Sequence, residues 1–105
     1  MSVHDMYYVY ILLLRNKNLY KGSTADLKAR VYDHEHGKVS STQHWRPLRL
    51  IHYECYCLKS DAQRREKFLK TTEGRRLLKQ QLRDVLKKYD VINGEVPEWS
   101  NGAPC

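Results

Sequence analysis

The sequence lacks the features that would mark a secreted or membrane protein. Its longest apolar run, residues 7–14, is far shorter than the roughly 20 residues that cross a bilayer, and no signal-peptide pattern precedes it. The three cysteines form neither an even disulfide set nor the paired spacing of a zinc site, since only Cys55 and Cys57 lie close together. These absences predict a cytoplasmic protein with reduced thiols and no membrane partner.

Acidic residues are also scarce relative to basic ones. The 105 residues include 19 Lys and Arg but only 12 Asp and Glu, which leaves a formal net charge of +7. A small body with this surplus attracts polyanions by counterion release, so nucleic acid is the expected partner. The same charge would also keep a protein without such a partner dispersed, and the sequence does not fix the oligomeric state.

Length and regularity predict one folded domain. No internal repeat or low-complexity tract is present, and a core this small becomes marginal if it is divided. We expect a single domain over residues 1–90. Residues 91–105 are rich in Pro and Gly without periodicity, and we expect a flexible C-terminal tail there.

The start of the domain predicts a β-hairpin. Residues 7–14 are apolar at every position, which is typical of a central strand covered on both faces, and the polar residues 15–18 form a turn before a second strand. If even positions pair with even positions, Tyr10 lies opposite Gly22. The phenols of Tyr10 and Tyr20 then share one face of the sheet.

The rest of the chain predicts helices around a third strand. A helix should run from a cap within residues 23–26 to Gly37, an aperiodic loop should follow, and residues 48–56 have strand propensity. A capping box at Ser60 should begin a second helix, and the three-and-four spacing of residues 77–89 marks a last amphipathic one. The expected fold is α/β, a small three-stranded antiparallel sheet flanked by helices in the order β-β-α-β-α-α.

Three side chains on the predicted helices have the chemistry of a site. Arg30 and His34 are four residues apart and therefore lie on one helical face. Glu66 falls within the stripe that runs from Ala62 to Leu69 and should face the sheet. A carboxylate there needs a partner, which is either a cation such as Mg²⁺ or a neighbouring Lys on the flank of the helix.

Two paired tripeptides give the sequence a family resemblance. Tyr8-Val9-Tyr10 and, after nine residues, Tyr20-Lys21-Gly22 resemble the double signature of the GIY-YIG nuclease superfamily, and its small single-domain bacterial members are the most similar. The resemblance extends over residues 6–82. Tyr8 stands where the family has Gly and Lys21 where it has Ile, while both signature tyrosines and the second Gly are kept.

The resemblance implies a metal-dependent endonuclease that hydrolyses phosphodiester bonds in DNA, with a role in DNA repair or processing. Tyr10 would orient or deprotonate the attacking water, and Tyr20 would be its hydrogen-bonding companion. His34 would accept or relay the proton. Arg30 would clamp the phosphate, and Glu66 would bind one Mg²⁺ or Mn²⁺.

Basic and polar side chains are expected to contact phosphates without reading bases, because no base-reading motif is present. The predicted nucleic-acid contacts are Lys21, Ser23, Arg64, Arg65, Lys67, Lys70, Arg75 and Arg76. The alternative is that this charged helical face is only solvated. The signature tyrosines would then be ordinary core aromatics. A chain that kept the fold and the basic surface without turnover would be a DNA- or RNA-binding module.

Overall fold

The computed structural model describes residues 5–91, which form a three-stranded sheet and four α-helices. The elements are β1 (Tyr7–Leu13), β2 (Leu19–Thr24), α1 (Leu27–Glu35), β3 (Arg49–Tyr56), α2 (Lys59–Leu69), α3 (Thr72–Gln81) and α4 (Arg83–Lys88). This confirms the predicted α/β class and the order of strands and helices, except that the last predicted helix is divided at Leu82 into α3 and α4. The predicted tail lies outside the described residues apart from Val91.

The sheet is antiparallel, with β1 between its two neighbours in the order β2-β1-β3. Tyr10 lies opposite Gly22, so the predicted register of the hairpin is confirmed. The continuous apolar run is explained by the central position of β1, because both faces of the strand are covered. Val9, Ile11 and Leu12 have no exposed surface.

The helix starts follow local capping chemistry. Asp26 caps α1 by accepting a hydrogen bond from the backbone N–H of Ala29 at 3.1 Å. Thr71 caps α3 in the same way, through the N–H of Gly74 at 3.0 Å. By contrast, α2 begins at Lys59, one residue before the predicted capping box.

The described residues group into two compact units, with the first ending at Lys67 and the second beginning at Phe68. The first unit contains the sheet, α1 and most of α2, and it holds every residue predicted to be catalytic. The second contains α3 and α4. A single domain over residues 1–90 stays a prediction. No helix within the described residues is long and apolar enough to cross a membrane.

Within the first unit, α1 covers one face of the sheet. Its Leu27 packs against a buried cluster formed by Tyr10, Leu12 and Leu14. Cys55, which lies opposite Tyr8 on β3, and Cys57 are exposed free thiols. The buried cluster therefore fixes α1, and with it Arg30 and His34, above the even-numbered face of β1.

Candidate active site

The phenol of Tyr10 occupies the centre of the predicted site. Its side chain is 1% exposed and passes directly over Gly22 of the edge strand β2. A Cβ at Gly22 would overlap the Tyr10 hydroxyl and lie 3.0 Å from the ring carbon Cε2. Gly22 is therefore a point of close approach, which lets the hydroxyl reach the edge of the sheet.

We expect Gly22→Ala to displace this phenol and to destabilise the protein by about 1–3 kcal/mol, because an added methyl group overpacks a filled space. Denaturant unfolding of the variant measures the cost. The double variant Gly22→Ala with Tyr10→Leu is the control, since leucine lacks both the hydroxyl and the ring carbon Cζ that the new methyl group would meet. Its cost should be smaller than the sum of the two single costs, and simple additivity would contradict the proposed overlap.

A chain of hydrogen bonds links four side chains around this phenol. The Tyr10 hydroxyl lies 2.9 Å from Nε2 of His34 and accepts a longer bond of 3.4 Å from Nε of Arg30. On its other side, Nδ1 of His34 lies 2.7 Å from the hydroxyl of Thr42. His34 and Thr42 have no exposed surface. The order is therefore Arg30, Tyr10, His34, Thr42.

Burial shifts the pKa values of Tyr10 and His34. It raises the pKa of the Tyr10 phenol, an effect to which the charge of Glu66 adds and which the hydrogen bond from Arg30 opposes. Burial, together with the positive charge of Arg30, lowers the pKa of His34 to about 4. Both Tyr10 and His34 are consequently neutral at pH 7.

The lowered pKa of His34 predicts a pH-dependent stability. Because its folded pKa of about 4 lies below the ordinary value of 6.5, the unfolded chain takes up the proton first as the pH falls. Stability from this group is complete above pH 6.5 and is lost towards pH 4, by about 3 kcal/mol at most. Denaturant unfolding at several pH values should show this slope, which His34→Asn should reduce. The exposed His36 offers the matched variant His36→Asn, and a slope that both variants leave unchanged would contradict the assignment.

Glu66 reaches the site from the opposite face of the sheet. Ser23 and Glu54 both pair with Val9, so these residues form one row across the three strands. Consecutive residues of α2 bind the two ends of this row. Arg65 donates two bonds to Glu54, at 2.9 and 3.2 Å, and Glu66 accepts a bond of 2.6 Å from the hydroxyl of Ser23.

This anchoring holds the Glu66 carboxylate at the edge strand, where Tyr10 also ends. The carboxylate is half-buried rather than in bulk solvent, and its charge is near enough to contribute to the raised pKa of Tyr10. The face of α2 predicted to point at the sheet does so, because Ala62 in the same stripe is 1% exposed. Two faces of one sheet thus bring a guanidinium and a carboxylate to either side of a phenol.

The carboxylate of Glu66 fits a metal site with a single protein ligand. Within residues 5–91, no three His, Cys, Asp or Glu side chains are grouped closely enough to hold a metal ion by themselves. Mg²⁺ needs no such group, since it keeps several waters and often takes one or two carboxylates together with substrate phosphate oxygens. Glu66 has the hard oxygen donors that such an ion prefers.

Tyr20 lies beside the chain of hydrogen bonds without joining it. Its ring is 5.1 Å from the ring of His34 and 6.3 Å from that of Tyr10, measured between centroids. Its hydroxyl accepts a bond of 3.4 Å from Ser41, and no hydrogen bond links it to Tyr10 in the described part of the chain. Tyr20 therefore supports Tyr10 by ring packing, which corrects the expected hydrogen bond.

Several of the predicted nucleic-acid contacts have protein partners. Arg65 is held by Glu54, which also accepts hydrogen bonds from neighbouring residues of β3. Arg64 pairs with Asp61 at 2.7 Å, and Arg76 in the second unit pairs with its neighbour Glu73. Lys67, Lys70 and Arg75 are exposed, whereas Lys21 and Ser23 are half-buried on β2. Because its ion pair with Glu54 is bidentate and partly buried, Arg65 has a structural role.

A groove of about 770 Å³ lies along the other side of α1. Tyr8, Tyr32 and Tyr53 line it together with aliphatic side chains, and neither Tyr10, Arg30 nor Glu66 does. A single concavity that contains all the predicted catalytic groups therefore stays a prediction. Thr42 is the residue that sequence reasoning missed, because it belongs to a loop whose composition carries no periodic signal.

The family comparison agrees with this geometry. The model of the GIY-YIG catalytic domain matches residues 6–81, which include the hairpin, α1 and Glu66. The chain belongs to the GIY-YIG family. This membership places it in a nuclease superfamily.

The chain is also similar to several UPF0213 proteins. A UPF0213 protein of Staphylococcus epidermidis is 38% identical over 76 residues, which are 71% of this chain and 93% of the relative. A UPF0213 protein of Haloquadratum walsbyi is 34% identical over 86 residues, or 79% and 97% of the two chains. The solution NMR structure of the UPF0213 protein BH0048 from Bacillus halodurans is 30% identical, covers 70% of this chain and 81% of its own, and has a TM-score of 0.46.

Proposed function

We propose that this GIY-YIG protein is a metal-dependent endonuclease that hydrolyses phosphodiester bonds in DNA, in a repair or processing role. The observation that carries the proposal is the shared position of Arg30 and Tyr10. Nε of Arg30 bonds to the Tyr10 hydroxyl, while its two terminal amino groups make no hydrogen bond within residues 5–91. A half-buried guanidinium with an open fork is suited to two phosphate oxygens.

Phosphodiester hydrolysis requires an oriented water and compensation of the charge that develops on the phosphate. Arg30 would bind the non-bridging oxygens and thereby fix the phosphorus next to the Tyr10 hydroxyl. Tyr10 would first lose its own proton to solvent, and the positive charges of Arg30 and a bound divalent ion would stabilise the resulting phenolate. That phenolate would orient the attacking water and take its proton. A divalent ion, Mg²⁺ or Mn²⁺, held by Glu66 would add positive charge at the phosphate.

The positive charge of the chain would hold the substrate by its backbone. Lys67 is exposed one residue after Glu66, so it is the residue of α2 best placed to contact a phosphate next to the scissile one. Lys70, Arg75 and Arg76 belong to the second unit, and their contact with nucleic acid stays a prediction. We leave Arg65 out of this surface because its guanidinium is committed to Glu54.

A cleavage assay tests the proposal. Purified protein is incubated with plasmid, single-stranded and branched DNA, with and without Mg²⁺. We expect Mg²⁺-dependent cuts that Arg30→Ala reduces by about 100- to 1,000-fold, the usual cost of losing a group that stabilises transition-state charge. Arg30→Lys should recover little, because it keeps the charge and loses the fork.

The exposed Arg49 of β3 provides the matched control, since β3 lies on the other side of β1 from the edge strand β2 and Arg49→Ala removes the same charge within the same unit. It should cut nearly as fast as the wild-type protein. If no substrate is cut and a salt-sensitive gel shift survives Arg30→Ala, the chain is a nucleic-acid-binding module and the proposal fails.

A further inference from the structure

The hydroxyl of Thr42 is fully buried and is hydrogen-bonded to His34. Thr42 and His34 have no exposed surface, and Nδ1 of His34 is the only group within residues 5–91 that bonds to this hydroxyl. The backbone of Thr42 is already engaged, through Val39 on one side and Trp45 on the other. A buried hydroxyl must place its proton on an acceptor or leave it unmatched, and here the acceptor is either Nδ1 or nothing.

The hydrogen-bonded groups of the four side chains carry one more donor proton than the hydrogen bonds between them use. The N–H of Arg30, the two hydroxyls of Tyr10 and Thr42, and the one N–H of neutral His34 make four donors, while three hydrogen bonds join the four side chains. If His34 carries its proton on Nδ1, the proton of Thr42 is left over in a closed interior. If His34 carries it on Nε2, the proton of Tyr10 is left over.

In the second arrangement the unmatched proton is that of Tyr10, which is near enough to the Glu66 carboxylate for that charge to raise its pKa. Tyr10 ends at the edge strand over Gly22, and Glu66 accepts a hydrogen bond from the adjacent residue of that strand, Ser23. Within residues 5–91, no carboxylate is hydrogen-bonded to Thr42. The free-energy cost of an unmatched donor is lower near a negative charge than in a buried position without one.

We infer that Thr42 donates its hydroxyl proton to Nδ1 of His34 and so holds His34 as the Nε2–H tautomer, which makes the Tyr10 oxygen the acceptor of two N–H hydrogen bonds. Thr42 is thus a positioning residue that acts through His34. If the proposed nuclease activity is correct, the consequence is chemical. Two N–H donors at one phenol oxygen stabilise the phenolate, the form that takes a proton from water.

This arrangement reverses the role that the sequence suggests for His34. A ring nitrogen that already carries a proton donates to Tyr10 and cannot accept the proton of the attacking water. The low pKa of His34, about 4, agrees with this, because the ring resists becoming doubly protonated. His34 therefore stabilises charge on Tyr10 instead of relaying a proton.

Nitrogen NMR of the whole labelled chain tests the tautomer directly. Long-range correlations between ring protons and ring nitrogens at pH 7 distinguish a bare nitrogen from a protonated one, and His34→Asn assigns the signals. We expect a bare Nδ1 and a protonated Nε2. A protonated Nδ1, alone or together with Nε2, would overturn the inference.

Two variants test whether Thr42 sets the tautomer. Thr42→Ser keeps the hydroxyl and should keep both the wild-type tautomer and, within about 3-fold, the cleavage rate. Thr42→Val keeps the shape and removes the hydroxyl, so Nδ1–H signals should appear and the rate should fall about 3- to 10-fold. Thr42→Val with an unchanged tautomer would refute the role of Thr42 whatever its rate.

The outcomes separate this inference from the proposed function. If Thr42→Val does not fold, the tautomer of the wild-type protein and of Thr42→Ser still decides. If the tautomer is as expected and no nucleic acid is cut, the assignment to Thr42 stands and the nuclease proposal fails.

Discussion

Glu66→Gln is expected to lower the rate of Mg²⁺-dependent cleavage by at least about 100-fold, because the charge that would hold the ion is lost. The substitution is nearly isosteric. Its amide oxygen can still accept the hydrogen bond that Ser23 donates to Glu66 at 2.6 Å, so the helix α2 should keep its position. Single-turnover cleavage across a Mg²⁺ titration measures the effect, and the concentration of Mg²⁺ for half-maximal rate should rise.

The exposed Glu35 of α1 supplies the matched control for this variant. Glu35→Gln removes one negative charge from the same unit without touching the edge strand, and it should cut at close to the wild-type rate. Thermal unfolding should show that Glu66→Gln and Glu35→Gln are both folded. Wild-type cleavage by Glu66→Gln, with the same Mg²⁺ dependence, would remove Glu66 from the site and with it the single-carboxylate metal proposal.

Tyr10→Phe is expected to lower the cleavage rate by about 100- to 10,000-fold, the range that loss of a general acid or base produces. The phenyl ring should still fill the space over Gly22. Binding of DNA, measured by gel shift, should therefore survive while turnover is lost. The variant should also be less stable by about 1–3 kcal/mol, because it leaves the buried ring of His34 without its hydroxyl partner.

Tyr8 provides the comparison, since it lies two residues earlier on the same face of β1 and outside the chain of hydrogen bonds. Tyr8→Phe should cut as fast as the wild-type protein. If Tyr10→Phe retained wild-type turnover, the phenol oxygen would have no part in the chemistry. If Tyr8→Phe lost as much activity as Tyr10→Phe, the effect would belong to the packing of the strand.

The hairpin and the stripe of α2 were predictable because each follows from short-range rules. The four-residue turn at residues 15–18 predicts the hairpin, and pairing of even positions with even positions then places Tyr10 opposite Gly22, as the structure does. Helical spacing places Glu66 with Ala62 on the face that meets the sheet. Both patterns depend only on residues that are close together in the sequence.

The contacts of Arg65 and Tyr20 depended on more than their own segments. Arg65 belongs to a basic stretch that resembles a phosphate-binding face, yet it is held by Glu54 from another strand. Tyr20 was expected to bond to Tyr10, and its hydroxyl lies instead next to Ser41 of the loop. In each case the partner is supplied by a segment whose position no local pattern specifies.

The sequence by itself determined the strands, the register that stacks Tyr10 over Gly22 and the helical face that carries Glu66, since these obey periodicities of the backbone. Tertiary structure alone decided that Thr42 meets His34 and that Glu66 reaches the edge strand from the face opposite to Arg30. The reason is that such meetings depend on how whole elements pack and on the course of an aperiodic loop. Burial then sets the protonation of the groups that meet, as the pKa of His34 near 4 illustrates.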